Sequence, residues 1–138
     1  MRSLQAAREG LPDTSKGRYV VQAFVGDEIA DVYALARLVV GRAGAGTVNE
    51  LANLGKASVL IPLPGALEQR ANAEALEREG GAMVLLQDGL SGGRLVEVIA
   101  GLLGDGERLE RMEEGARKLG TAGAADRIID ELLRVKKG

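Results

Sequence analysis

The 138-residue chain contains no cysteine and no histidine. The first absence removes disulfides and thiolate chemistry. The second removes the commonest general base and the commonest metal ligand. Aromatic residues are scarce, with one Phe, two Tyr and no Trp, so platforms for stacking nucleic-acid bases are not expected. A formal net charge of −2 gives no general attraction to polyanions. No stretch reaches the ~18 apolar residues of a membrane span, and no basic-then-apolar leader precedes the body. The expectation is therefore a cytoplasmic domain without nucleic-acid partners, membrane insertion, metal or cofactor. Its length suits one domain with a sizeable core.

What the sequence does have is an alternation of strand and helix patterns. Ser3 to Glu9 reads as a short helix and Gly10 to Gly17, with Pro12, as a loop. Arg18 to Val25 carries the β-branched and aromatic content of a strand. Gly26-Asp27 turns into a helix near Glu28–Ala36, and Leu38–Gly41 is the second strand. A helix from about Val48 to Leu54 stops at Gly55. Ala57–Pro62 is a third strand, Glu68–Glu79 a helix ended by Gly80-Gly81, and Ala82–Leu86 a fourth strand. The remainder is helical, with apolar stripes at Leu95/Val98/Ile99/Leu102, Leu109/Met112/Ala116/Leu119 and Ile128/Ile129/Leu132/Leu133. Short apolar strands alternating with helices predict a doubly wound α/β domain, its parallel sheet covered on both faces.

In such sheets ligands gather beyond the C-terminal ends of the strands. The loop after the second strand, Arg42 to Glu50, is rich in glycine. Gly41, Gly44 and Gly46 read G-x-x-G-x-G, which is not the dinucleotide fingerprint G-x-G-x-x-G. What remains is a glycine-lined helix start, whose free N–H groups suit a phosphate. Thr47 and Glu50 have the spacing of a capping box, so Glu50 has two readings: a reciprocal cap, or a carboxylate that accepts sugar hydroxyls. Beyond the third strand, Glu68, Gln69 and Asn72 cluster at a helix start, either as hydroxyl-reading groups or as a solvated first turn. Phe24-Val25 ends the first strand, where Phe24 is either core or the seat of a flat base. Asp27, Glu28 and Asp31 sit at a helix start, where acids are favoured anyway, so no metal site is expected.

The stretch from Phe24 to Leu86, with these loops in order, resembles the nucleotide-sugar-binding domain of the MurG family of peptidoglycan UDP-N-acetylglucosamine transferases. The resemblance spans roughly residues 18–136. It implies the C-terminal, Rossmann-like domain of a GT-B glycosyltransferase, whose active site lies in the cleft between two such domains. The family transfers GlcNAc to undecaprenyl-pyrophosphoryl-MurNAc-pentapeptide, turning lipid I into lipid II at the inner face of the plasma membrane. By this resemblance Phe24 and Val25 match the uracil site, where main-chain atoms read the base edge. Arg42, Ala43, Gly44, Ala45, Gly46 and Thr47 match the loop that faces the diphosphate and sugar. Glu50 matches the glutamate that accepts both ribose hydroxyls. Glu68, Gln69 and Asn72 match the segment that binds GlcNAc hydroxyls, with Glu68 departing from the usual Gln or His.

The resemblance also implies what has no counterpart here: the acceptor domain with its proposed catalytic base, and the donor domain's first strand with a Gly-Gly-Ser phosphate loop. Residues 1–138 then form a single partial UDP-sugar-binding domain with no catalytic residue of its own. It binds at most UDP-GlcNAc or UDP, and its acceptor half is supplied in cis or in trans. Two readings of other classes stand beside this one: a non-catalytic nucleotide-sugar-binding module, and a ligand-free minimal α/β domain. In the family's strand order, 3-2-1-4-5-6, two missing strands would separate Arg18–Val25 from Leu38–Gly41. Either a homodimer fills the gap, or those two strands pair directly within one chain.

Overall fold

A computed structural model describes residues 1–121 and 124–138. The elements run α1 (Arg2–Glu9), α2 (Asp13–Lys16), α3 (Ile29–Leu35), β1 (Val39–Gly41), α4 (Ala45–Leu54), β2 (Ser58–Leu60), α5 (Leu67–Arg78), β3 (Ala82–Val84), α6 (Gly92–Leu103), α7 (Gly106–Thr121) and α8 (Ala124–Lys137). The three strands are parallel in the order β1-β2-β3, with Val40 opposite Val59 and Val59 opposite Met83. The middle strand is buried along its whole length, as expected for a parallel sheet covered on both faces.

Alternation along the strands divides the core in two. Leu60, with Val39 and Val84, packs against Val48, Leu51 and Ala52 of α4 and Ala73 and Leu76 of α5. Val59, with Leu38 and Met83, faces Val98 and Leu102 of α6 and Leu109 and Met112 of α7. The second half of α7 (Ala116, Leu119) belongs to the first cluster. Helix α7 thus passes beneath the N-terminal ends of the strands and closes that end of both cores. It lies very close to the turns there. A Cβ on Gly120 would stand 2.7 Å from the Ala52 carbonyl oxygen, and one on Gly115 would collide with the backbone at Glu79 and Gly80. The turn after α4 requires glycine for a different reason: Gly55 sits at φ 64°, ψ 49°. Its N–H donates to the Ala52 carbonyl, while the Lys56 N–H donates to that of Leu51. This pair of bonds ends the helix in a left-handed cap.

The expected helices near residues 3–9, 28–36, 48–54 and 68–79 form, and so do the strands at 38–41, 57–62 and 82–86, each shortened to three residues. Two expectations need correction. The 10–17 loop contains the one-turn helix α2. Arg18–Val25 forms no strand, and it does not pair with β1. A strand's N–H and C=O groups need a neighbour's ladder. This segment finds none, so composition alone does not order it; Val20 and Phe24 stay 75% and 84% exposed.

The close approach of α7 predicts opposite signs for one chemical change. Gly115→Ala should destabilise the fold by about 1–3 kcal/mol through overpacking. Gly101→Ala, in an open stretch of α6 with nothing within 4 Å, should stabilise it by about 0.5–1 kcal/mol through backbone entropy. Urea midpoints of the two variants against the parent decide this; a neutral Gly115→Ala would mean the α7 contact is loose.

Candidate donor site

At the C-terminal ends of the strands three loops are stitched together. The chain leaves β1 at Arg42 and enters α4 at Ala45, with Gly44 as N-cap in an extended conformation (φ −62°, ψ 152°). Ala43, between them, is fully buried. Its carbonyl accepts a 3.0 Å hydrogen bond from the Asn72 amide of α5, itself only 5% exposed. Arg42 Nη1 donates to the Ile61 carbonyl at 3.1 Å, just past β2. The Leu63 N–H donates to Gln69 Oε1 at 3.0 Å. The glycine loop, the loop after β2 and the start of α5 therefore hold one another in place.

The capping box does not form. Helix α4 begins at Ala45, so Thr47 is its third residue and Glu50 its sixth, and no side chain caps the N-terminus. Gly44 takes an ordinary extended conformation as N-cap, and nothing lies within 4 Å of where a Cβ on Gly44 or Gly46 would stand. The first-turn N–H groups have no intrahelical partner and open toward that space. Glu50 is exposed on the second turn, free of the structural duty that its spacing suggested. What this arrangement offers is an anion cradle: amide donors, a positive dipole end and no obstructing side chain.

The structure brings Arg42, Gly44, Ala45, Gly46, Thr47, Gln69 and Asn72 into one region through the bonds above. Asn72 spends its amide on the Ala43 carbonyl, and Gln69 keeps its own NH2 to donate. Glu68 lies exposed in the first turn of α5. Phe24 and Val25 fall in the irregular segment before α3, and among the described residues no hydrogen bond ties them to the other loops. Two residues escape a reading of local sequence. Leu132 and Lys136 of α8 line a hollow of about 390 Å³ with Glu68 and Gln69. No local signal marks a contact between segments so far apart in the chain. Among the described residues no group of three acidic side chains is placed to hold a metal ion.

Residues 5–128 match the glycosyltransferase family 28 C-terminal domain. The UDP-N-acetylglucosamine--N-acetylmuramyl-(pentapeptide) pyrophosphoryl-undecaprenol N-acetylglucosamine transferase of Syntrophotalea carbinolica is 43% identical over 128 residues, which are 91% of this chain and 36% of that protein. The transferase of the same name from Rhodopseudomonas palustris strain HaA2 is 46% identical over 104 residues, covering 74% of this chain and 28% of the relative. The crystal structure of Acinetobacter baumannii MurG superposes with a TM-score of 0.67 at 33% identity, over 83% of this chain and 33% of that one. The chain thus spans about a third of the length of these relatives.

Asn72→Ala should leave the buried Ala43 carbonyl without its donor. The expected loss of stability is about 1–3 kcal/mol, read as a lowered urea midpoint. Faster amide exchange is expected at Ala45–Thr47, since the cradle loses its anchor to α5. A variant as stable as the parent would show that the bond is not needed to hold the loop.

Proposed function

Since the chain belongs to the glycosyltransferase family 28 C-terminal domain family, we propose that it is the UDP-GlcNAc-binding portion of a transferase. That enzyme adds GlcNAc to undecaprenyl-pyrophosphoryl-MurNAc-pentapeptide. The observation that carries this reading is the uncapped, glycine-lined start of α4 at the end of a parallel strand, anchored by the buried Asn72 bond. The N–H groups of Ala45, Gly46 and Thr47 bind the diphosphate, and the dipole of α4 favours its charge. Glu50, one turn further on, accepts both ribose hydroxyls. The Arg42 guanidinium, steadied by the Ile61 carbonyl, adds positive charge beside the phosphates. Gln69 and Glu68 face the sugar. Phe24 and Val25 supply main-chain contacts to uracil once their segment is ordered by neighbouring strands.

The chain alone transfers nothing. It holds the donor; an acceptor half, in cis or in trans, holds the lipid-linked sugar and the base that activates its hydroxyl. Among the described residues no helix is long and apolar enough to cross a membrane, which fits a donor domain working on the cytoplasmic side of the inner membrane.

Glu50→Gln should weaken UDP binding by roughly 1–3 kcal/mol, the usual size for charge-assisted hydrogen bonds. Its urea midpoint should match the parent's, because Glu50 makes no cap. Isothermal calorimetry with UDP measures the first and denaturation the second. Equal affinity in the two proteins would remove Glu50 from the site, and lipid I turnover by the purified chain would contradict the half-site reading.

The reading extends to a homodimer through the vacated side of the sheet. The two sheet edges differ in a way that supports it. At β3 the Val84 N–H is taken by Glu77 Oε1 at 2.8 Å, a side chain that blocks strand addition. At β1 the outer edge has no strand neighbour among the described residues, and Val40 on that strand is 40% exposed. Two β1 edges related by a two-fold axis would pair antiparallel into one sheet. Sedimentation over a range of concentrations should show a monomer–dimer equilibrium that Val40→Lys shifts to monomer; a monomer at every concentration excludes the dimer.

A further inference from the structure

The last helix of the chain reaches the start of α5, where the sugar-facing side chains stand. Helix α8 packs along α5: Val135 is buried, Glu131 pairs with Arg78 and Arg134, and Arg127 pairs with Glu79. These ion pairs join the C-terminal part of α5 to the first turns of α8, so the chain direction of α8 carries its last turn back toward the first turn of α5. There Leu132 and Lys136 line the hollow of about 390 Å³ with Leu67, Glu68 and Gln69. That volume is within the range of small-molecule sites, roughly 300–1,000 Å³. Its chemistry is mixed in a way that suits a sugar ring. Leu67 and Leu132 offer an apolar floor to C–H groups, Glu68 accepts hydrogen bonds, and the Gln69 amide and the Lys136 ammonium donate them. Glu68 and Lys136 are both exposed, and neither takes part in an ion pair among the described residues. Opposite charges face one hollow without closing on each other.

We propose that hydroxyls of the donor sugar bridge Glu68 and Lys136, which makes Lys136 of α8 a sugar-specificity residue of this chain. The proposal rests on the donor-site reading above and assigns α8 a part in it. A hydroxyl donates to the Glu68 carboxylate while its neighbour accepts from Lys136. This pairing also gives the carboxylate at position 68, where the family resemblance leads one to expect a neutral side chain, a compensating cation across the hollow. The UDP moiety lies on the α4 side and does not touch Lys136.

The test compares two probes, UDP-GlcNAc and UDP, titrated into the isotopically labelled full chain and followed by NMR. Lys136→Gln should weaken UDP-GlcNAc about tenfold, as for loss of one charge-assisted hydrogen bond, and leave UDP within about twofold. Lys136→Arg should restore most of the difference. Unchanged UDP-GlcNAc affinity in Lys136→Gln overturns the proposal while leaving the donor site standing. Equal losses for both probes, or a disturbed spectrum across α5, also overturn it, since Lys136 would then only hold α8 in place. A parent chain that binds neither probe overturns the donor-site reading and this proposal with it.

Discussion

The backbone-to-backbone contact of α7 with the turns after α4 and α5 is the constraint on which the rest of the fold depends. Three-residue strands carry little ladder of their own, and a sheet this small cannot bury two faces without help. Helix α7 supplies it by running under the strand starts, with Leu109 and Met112 in one core and Ala116 and Leu119 in the other. Glycines at 115 and 120 let the helix settle against carbonyls that any side chain would push away. With one end of the sheet sealed in this way, the opposite end is left to the loops that form the site.

That opposite end is organised by a buried polar bond. The Asn72 amide reaches the carbonyl of Ala43 inside the core, where leaving either group unpaired would be costly. The bond fixes the glycine loop relative to α5, so the amides of one helix start and the side chains of another converge on one region. Preorganisation of this kind matters for a phosphate cradle made of main-chain groups, because their direction is set entirely by the path of the chain. The region combines the uncapped start of α4 with the polar side chains of Gln69 and Asn72.

The two edges of the sheet tell the rest of that story. Glu77 reaches across to occupy the Val84 N–H and closes the β3 edge. The β1 edge is open, and Arg18–Val25, rich in strand-forming residues, stays irregular. These two facts have one cause. A strand needs a neighbour's ladder, and among the described residues neither the segment nor the outer edge of β1 has one. Phe24 and Val25, which we propose contact uracil, lie in that irregular segment, and among the described residues no hydrogen bond ties them to the anchored loops.

Much of this was legible in the residues themselves. Apolar runs at Leu38–Gly41, Ala57–Pro62 and Ala82–Leu86 with helical periods between them determined a parallel α/β sheet, because burial on both faces demands continuous apolar strands. The loop motifs around Gly44, Glu50 and Gln69, in family order, determined the family. Three matters were decided only in three dimensions. Helix α4 starts at Ala45, with Gly44 as its extended N-cap, which dissolved the Thr47–Glu50 cap that spacing alone suggested. Arg18–Val25 failed as a strand because a strand is a property of a pair, and among the described residues it has no ladder to join. Lys136 came to share a hollow with Glu68 because α8 packs back along α5, a placement set by burial of Val135 and by arginine–glutamate pairing between distant helices. Local pattern encodes which face of an element is apolar; which distant element will cover that face is settled by packing.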